Sequence, residues 1–254
     1  MLFGLLDRRF APAPDPARVA WLRGTQFAHR GLHGAGVPEN SPAAFALAMA
    51  AGTGIECDVQ RSADRRAIVF HDETLDRLTC EAGAVASRSV AALTRIALKE
   101  NGETIPTLRD LLVQVNGAVP LLVEIKALPG RRSGNFCAAI RSDIEGYAGP
   151  IAIMSFDPRI VGWFAQRAPH LVRGLVITEE NARTLSGKVR RHRALWQARP
   201  DFLAYDIRDL PSAFPARQRK RGLPVLTWTV RSADLRQRAA DHADAPIAEG
   251  AGLP

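Results

Sequence analysis

The chain has 254 residues and is 46% hydrophobic, enough to bury a sizeable core, and an α/β barrel of this length commonly forms one domain. Three scattered cysteines, Cys57, Cys80 and Cys137, exclude a disulfide framework or a zinc knuckle; we expect all three to be buried structural thiols in a reducing compartment. The net charge of +8, carried mostly by Arg, suits anionic substrates or anionic lipid surfaces, and the lack of aromatics interleaved with the basic runs argues against a nucleic-acid partner.

Residues 1–24 read as an irregular lead-in, with MLFGLLDRRF first, then the Pro-broken stretch APAPDPA at 11–17 and a short helix at 16–22. A secretory leader places its charges before a longer apolar run, and no segment reaches the roughly 20 apolar residues of a membrane span, so the expectation is a cytoplasmic protein. Residues 2–6 leave peripheral membrane contact open, although such a stretch more often packs on its own domain. FAHRG at 27–31 is a short strand stopped by glycine. PENS at 38–41 starts a helix: Asn40 or Ser41 can cap it, Pro42 suits its first turn, and the Ala-rich run ends at Gly52. GIECDVQ (54–60) alternates as a strand, and AIVFHD (67–72) can pair with it as a hairpin that brings Glu56 and His71 close. Residues 73–104 have weak periodicity and read as a small insertion.

From residue 105 the pattern is regular. IPTLRDLLVQV is a helix capped by Thr107, LLVEIKA (121–127) is a strand, and 133–148 is helical. Strands follow at 151–156, 173–178, 202–207, 224–230 and 244–250, with helices between them at PRIVGWFAQRA, 180–197, 212–221 and 232–241. Eight strands, each but the last followed by a helix, predict parallel pairing and closure into a single (β/α)8 TIM-barrel domain over 1–254.

In such barrels the reactive groups sit at the C-terminal ends of the strands, where His29, Arg30, Glu56, Asp58, Glu124, Lys126 and Trp228 all fall. Glu56 and Asp58 are two apart on a strand and share a face, as do Glu124 and Lys126. Three converging carboxylates suit a hard divalent cation, Mg²⁺ or Ca²⁺, better than Zn²⁺; structural ion pairs with Arg30 and Lys126 are the competing reading. His29 and His71 each end an apolar run and can exchange protons as acid and base near neutral pH. Arg30 can hold two phosphate oxygens in a fork, and Lys126 can add a point charge. Glu39 either opens the helix or supports this site. No Walker loop, His-Glu-x-x-His or Gly-x-Ser-x-Gly is present. The Arg runs at 190–193 and 217–221 read as solvated helix faces or as a basic surface.

AHRG (28–31), PENS (38–41), IECDV (55–59), VFHDETLDRLT (69–79), IPTL (105–108), VEIK (123–126), MSF (154–156) and LTWTV (226–230), in that order, resemble the glycerophosphodiester phosphodiesterase family. The resemblance implies a (β/α)8 barrel with a small insertion after the second strand, and hydrolysis of glycerophosphodiesters to glycerol 3-phosphate and an alcohol. It implies Mg²⁺ or Ca²⁺ on Glu56, Asp58 and Glu124, catalysis by His29 and His71, and phosphate binding by Arg30 and Lys126; we expect Trp228 to wall the pocket. We expect His29 to act as acid and His71 as base. Two rival readings are a phosphodiesterase acting on lysophospholipids at a membrane and a non-catalytic headgroup-binding barrel. The chain departs from the family pattern at Arg231, where Asn is usual, and at HADAPIAEGAGLP, which replaces a closing Gly-x-Asp-Gly pattern; Glu249 is a candidate for the missing acid.

Overall fold

The computed structural model describes residues 2–127, 130, 133–180 and 182–253; Met1 of the lead-in, Asn181 of the predicted helix 180–197 and Pro254 of the C-terminal stretch lie outside them. In chain order the elements are α1 (Leu2–Phe10), α2 (Pro16–Val19), β1 (Phe27–His29), α3 (Pro42–Ala50), β2 (Gly54–Arg61), β3 (Ala67–Val69), α4 (Val90–Leu93), α5 (Leu108–Val115), β4 (Leu121–Ile125) and α6 (Gly134–Ile144). There follow β5 (Ile151–Ser155), α7 (Pro158–Arg167), β6 (Val172–Ile177), α8 (Leu185–Ala198), β7 (Phe202–Asp206), α9 (Ala213–Lys220), β8 (Val225–Val230), α10 (Ala233–His242) and β9 (Ala245–Ala248). They group into two compact units, residues 27–151 and residues 1–26 with 152–254.

In the 27–151 unit, β2 is the central strand. It pairs in parallel with β1 and β4 and antiparallel with β3, and nearly all of it is buried. The registers put His29 beside Glu56 and Asp58 beside Glu124, so residues far apart in sequence meet at one level of the sheet. The helices start where the sequence says they should. The Ser41 hydroxyl accepts from the Ala44 N–H at 3.1 Å to cap α3, with Pro42 in the first turn. Thr107 and Asp110 form a reciprocal capping box on α5. Residues 73–104 hold only α4, a short 3-10 turn and isolated bridges, as an insertion should. Leu75, Val85, Leu93, Ile96 and Leu98 of this segment pack with Ile68, Phe70 and Ile105. Cys57 and Cys137 are buried, but Cys80 is exposed within this segment, which corrects the expectation of three buried thiols.

In the other unit β5 to β9 pair in parallel in sequence order, β5–β6, β6–β7, β7–β8 and β8–β9. Leu175, Ile177, Leu203, Tyr205, Val225 and Val230 from these strands pack with Leu195 of α8 and Phe214 of α9. Gly174 is where β6 meets the ring of Phe202: a Cβ there would lie 2.3 Å from the ring, so only glycine fits. The lead-in is more ordered than its irregular sequence suggests, because α1 is a helix docked on α8, with the Phe3 ring stacked on His192 at 4.2 Å. Among the described residues no helix is long and apolar enough to cross a membrane.

Candidate active site

The site in the 27–151 unit begins where β1 stops. Arg30 takes a left-handed backbone (φ 57°), and Gly31 follows at φ 79°. A Cβ on Gly31 would sit 2.9 Å from the backbone and Cβ of Ala44, so the turn after His29 can close against α3 only with glycine. That turn aims the Arg30 backbone N–H at Glu56 Oε2, 3.1 Å away. It also carries the guanidinium back over the sheet, where Nη1 donates to Glu39 Oε1 at 2.7 Å and Nε lies 3.1 Å from Asp58 Oδ2, an ion pair without hydrogen-bond alignment.

Glu56, Asp58 and Glu124 are buried, and each offers an oxygen within 4.8 Å of the others. Their surroundings differ. Asp58 is held by Lys126 Nζ at 2.8 Å and by the Asn40 amide, which donates to Oδ2 at 3.0 Å and accepts from the Asp58 N–H at 3.2 Å. Burial would raise its pKa, but Lys126, Arg30 and His71 outweigh burial and keep the carboxyl well below the usual range. Glu124 shares Lys126 Nζ at 2.6 Å, yet burial and the Asp58 charge leave its pKa raised. Glu56 takes the Arg30 N–H and faces His29 Nε2 at 3.9 Å; burial, then Asp58 and Glu124, push it well above the ordinary value. Lys126 is raised because its two carboxylates outweigh its burial. The competing reading paired Glu56 and Glu124 with Arg30 and Lys126: the Glu124–Lys126 pair forms, whereas Arg30 turns to Asp58 and Glu39, and Glu56 has no side-chain nitrogen of Arg30 or Lys126 within 4.0 Å among the described residues.

His71 follows β3. Its Nδ1 is 2.7 Å from Asp72 Oδ1, which fixes the ring. The Asp58 charge also acts on His71, and the Phe70 N–H bonds the Asp58 carbonyl, which lays this segment along β2. Burial lowers the His71 pKa, and Asp58 only partly offsets it. Arg77 ties Asp72 and Glu39 together, with contacts of 2.7–3.0 Å. It is the main reason the Asp72 carboxyl falls to about 2. Glu39 is thus a member of the charge network. Its carboxyl is lowered because Arg77 and Arg30 outweigh burial. The five carboxylates Glu39, Glu56, Asp58, Asp72 and Glu124 exceed the three cations Arg30, Arg77 and Lys126 by two charges. An oxygen-only cluster short of two positive charges fits a hard divalent cation.

The structure brings together His29, Arg30, Glu56, Asp58, His71, Glu124 and Lys126. Trp228 lies in the other unit, where its indole N–H donates to the Ala204 carbonyl at 3.0 Å and its ring meets Phe156 edge-on at 5.4 Å. Arg231 and Glu249, both at departures from the family pattern, pair with each other at 2.5 Å. The sequence reading missed the part played by Asn40, offered there only as a helix cap, and by Asp72 and Arg77. The polar residue next to each motif was the available signal.

A family model described as the glycerophosphoryl diester phosphodiesterase family matches residues 29–245. The chain belongs to this family. Membership makes it an enzyme of the phosphoric diester hydrolase class. Among its relatives is YhdW of Bacillus subtilis, provisionally named a glycerophosphodiester phosphodiesterase, 29% identical over 221 residues that cover 81% of this chain and 85% of that one. The fold matches an Oleispira antarctica phosphodiesterase solved with its product sn-glycerol-3-phosphate (TM-score 0.78, 22% identity, covering 89% of this chain and 93% of that one). It also matches a Thermotoga maritima glycerophosphodiester phosphodiesterase (TM-score 0.70, 23% identity, covering 88% and 94%). The fold expectation of a (β/α)8 barrel holds, and the family expectation with it.

Proposed function

We propose that the chain hydrolyses glycerophosphodiesters to sn-glycerol 3-phosphate and an alcohol, as one cytoplasmic barrel domain. The observation that carries this reading is the convergence of Glu56, Asp58 and Glu124 within 4.8 Å beside His29, in a member of this family. The three carboxylates would hold Mg²⁺ or Ca²⁺, and such a cation, when bound, supplies charge neutralisation at the phosphate oxygens and favours ionisation of the attacking hydroxyl or water. Arg30 has five N–H donors; Glu39 and Asp58 occupy two nitrogens, and the remaining donors can meet a phosphate oxygen. Lys126 adds positive charge at the same level of the sheet.

His71 suits the base. Burial lowers its pKa and so favours the neutral form, and Asp72 holds Nδ1, which leaves Nε2 to accept a proton from the nucleophile. His29 is then the acid that protonates the leaving alkoxide. Trp228 is proposed as a substrate-binding residue on the strength of the family resemblance.

The test is to incubate the protein with glycerophosphocholine and with glycerophosphoethanolamine, with and without chelator, and to assay glycerol 3-phosphate. Release that stops with chelator and returns with Mg²⁺ or Ca²⁺ is expected. No release under any metal condition would overturn the proposal.

A further inference from the structure

The net charge is not spread over the molecule. Helices α1, α8 and α9 contain nine Lys and Arg against a single Asp, an excess of eight. Taking them from the chain's 34 basic and 26 acidic residues leaves 25 of each. These helices therefore carry the whole net charge. Their one acid, Asp7, is buried and spent inside: it accepts from His192 Nδ1 and Trp196 Nε1 on α8 and Gln218 Nε2 on α9, each at 2.8 Å, and so clamps the helices together. Arg191 pairs with Glu179 and Arg219 with Asp244. The other seven cations are exposed and have no ion-pair partner among the described residues: Arg8 and Arg9 on α1, Lys188, Arg190 and Arg193 on α8, and Arg217 and Lys220 on α9.

The same helices expose large apolar side chains. Leu5 is 68% exposed and Phe10 43% on α1; Leu185 is 75% exposed and Val189 36% on α8. Helical spacing puts Leu185 and Val189 on one stripe with Trp196, whose ring meets Phe10 at 5.8 Å. The stripe therefore continues from α8 onto α1. Leu5 lies one turn before Arg8 and Arg9. Single exposed leucines are ordinary on a protein surface; here three packed helices carry four exposed large apolar groups and seven cations with no ion-pair partner among the described residues, and none of the three helices has an exposed acid.

We propose that this α1–α8–α9 face docks on an anionic lipid bilayer. Leu5, Phe10, Leu185 and Val189 enter the boundary between headgroups and acyl chains, while the Arg and Lys side chains lie along their stems and meet the lipid phosphates. Charge complementarity admits nucleic acid as well, but three of the four exposed apolar side chains, Leu5, Leu185 and Val189, are aliphatic and offer nothing for a base to stack on.

The experiment is co-sedimentation of the full chain with phosphatidylcholine vesicles and with vesicles containing about 30% phosphatidylglycerol, at about 0.1 M and about 0.5 M salt. Binding to the anionic vesicles should be at least about tenfold tighter than to the neutral ones and should weaken with salt. The charge reversals Arg8→Glu with Arg9→Glu, and separately Arg190→Glu with Arg193→Glu, should each weaken it about tenfold or more. Leu5→Asn should lower the fraction retained at the higher salt. All these positions are exposed, and circular dichroism will establish that each variant is folded; the two pairs lie on different helices, so each backs up the other. Equal binding to both vesicle types, no binding to anionic vesicles, undiminished binding by both reversal pairs, or tighter binding to an oligonucleotide than to the anionic vesicles would each overturn the proposal.

Discussion

Of the three clustered carboxylates, Glu56 is the one with no Arg or Lys side-chain nitrogen within 4.0 Å among the described residues. Burial and two acidic neighbours raise it, and His29 Nε2 lies 3.9 Å away. A divalent cation should therefore stabilise the folded chain. At a cation concentration about a hundred times its Kd the gain is about 2.7 kcal/mol, read as a rise in Tm. In Glu56→Gln and Glu124→Gln the rise should vanish, and an undiminished rise would place the cation elsewhere. His71 makes a separate prediction. His71→Ala should cut kcat by about 10² to 10⁴ with little change in substrate affinity. Because burial lowers its pKa from the ordinary 6.5, the acid limb of the pH–rate profile should lie below that value, since the base works only when unprotonated. An acid limb above 6.5 would speak against His71 as base.

At the scale of the element, α3 matters for more than its own helix. Its cap residue Ser41 directly follows Glu39, which pairs with Arg30, and Asn40, which holds Asp58. Ser41→Ala should cost about 1 kcal/mol in chemical denaturation. It should also lower kcat, because the loosened turn carries the Asn40 amide with it. A loss of stability with full activity would show that Asn40 is held by its own backbone N–H bond to the Arg30 carbonyl instead. Helix α1 is held by a buried acid. Asp7→Ala leaves the His192, Trp196 and Gln218 donors without their acceptor, at about 1–3 kcal/mol for each buried group left unpaired, so a fall in Tm is expected. An unchanged Tm would mean that α1 contributes little to the unit on which it docks.

For the whole molecule, the buried charges shape stability against pH. Hydrogen bonds from Arg77, and then from His71, bring Asp72 from an ordinary 3.8 to about 2. Its charged form contributes stability fully above pH 3.8, and that contribution is lost as pH falls through about 2. Glu39 and Asp58 are shifted in the same direction. Glu56 and Glu124 run the other way: with raised values in the folded chain, their contribution is complete at low pH and lost as pH rises. Asp72→Asn should flatten the fall in Tm between about pH 4 and pH 2, and an unaltered slope would assign acid unfolding to other carboxylates.

The sequence by itself determined the alternation of strands and helices, the helix starts at Ser41 and Thr107, and the residue types at the strand ends. These are local properties, set by periodicity, capping chemistry and the side-chain alternation of a strand, so they can be read over a few residues. Only the tertiary structure decided which carboxylate each cation serves. Arg30 reaches Glu39 and Asp58 because its backbone turns left-handed against α3, a direction its neighbours in sequence do not encode. Asn40 meets Asp58 across 18 residues, and Asp7 meets Gln218 across 211, through packing that no short window contains. The basic surface has the same origin: the Arg runs at 190–193 and 217–221 were visible one by one, but the bonds of Asp7 that clamp α1, α8 and α9 together were not.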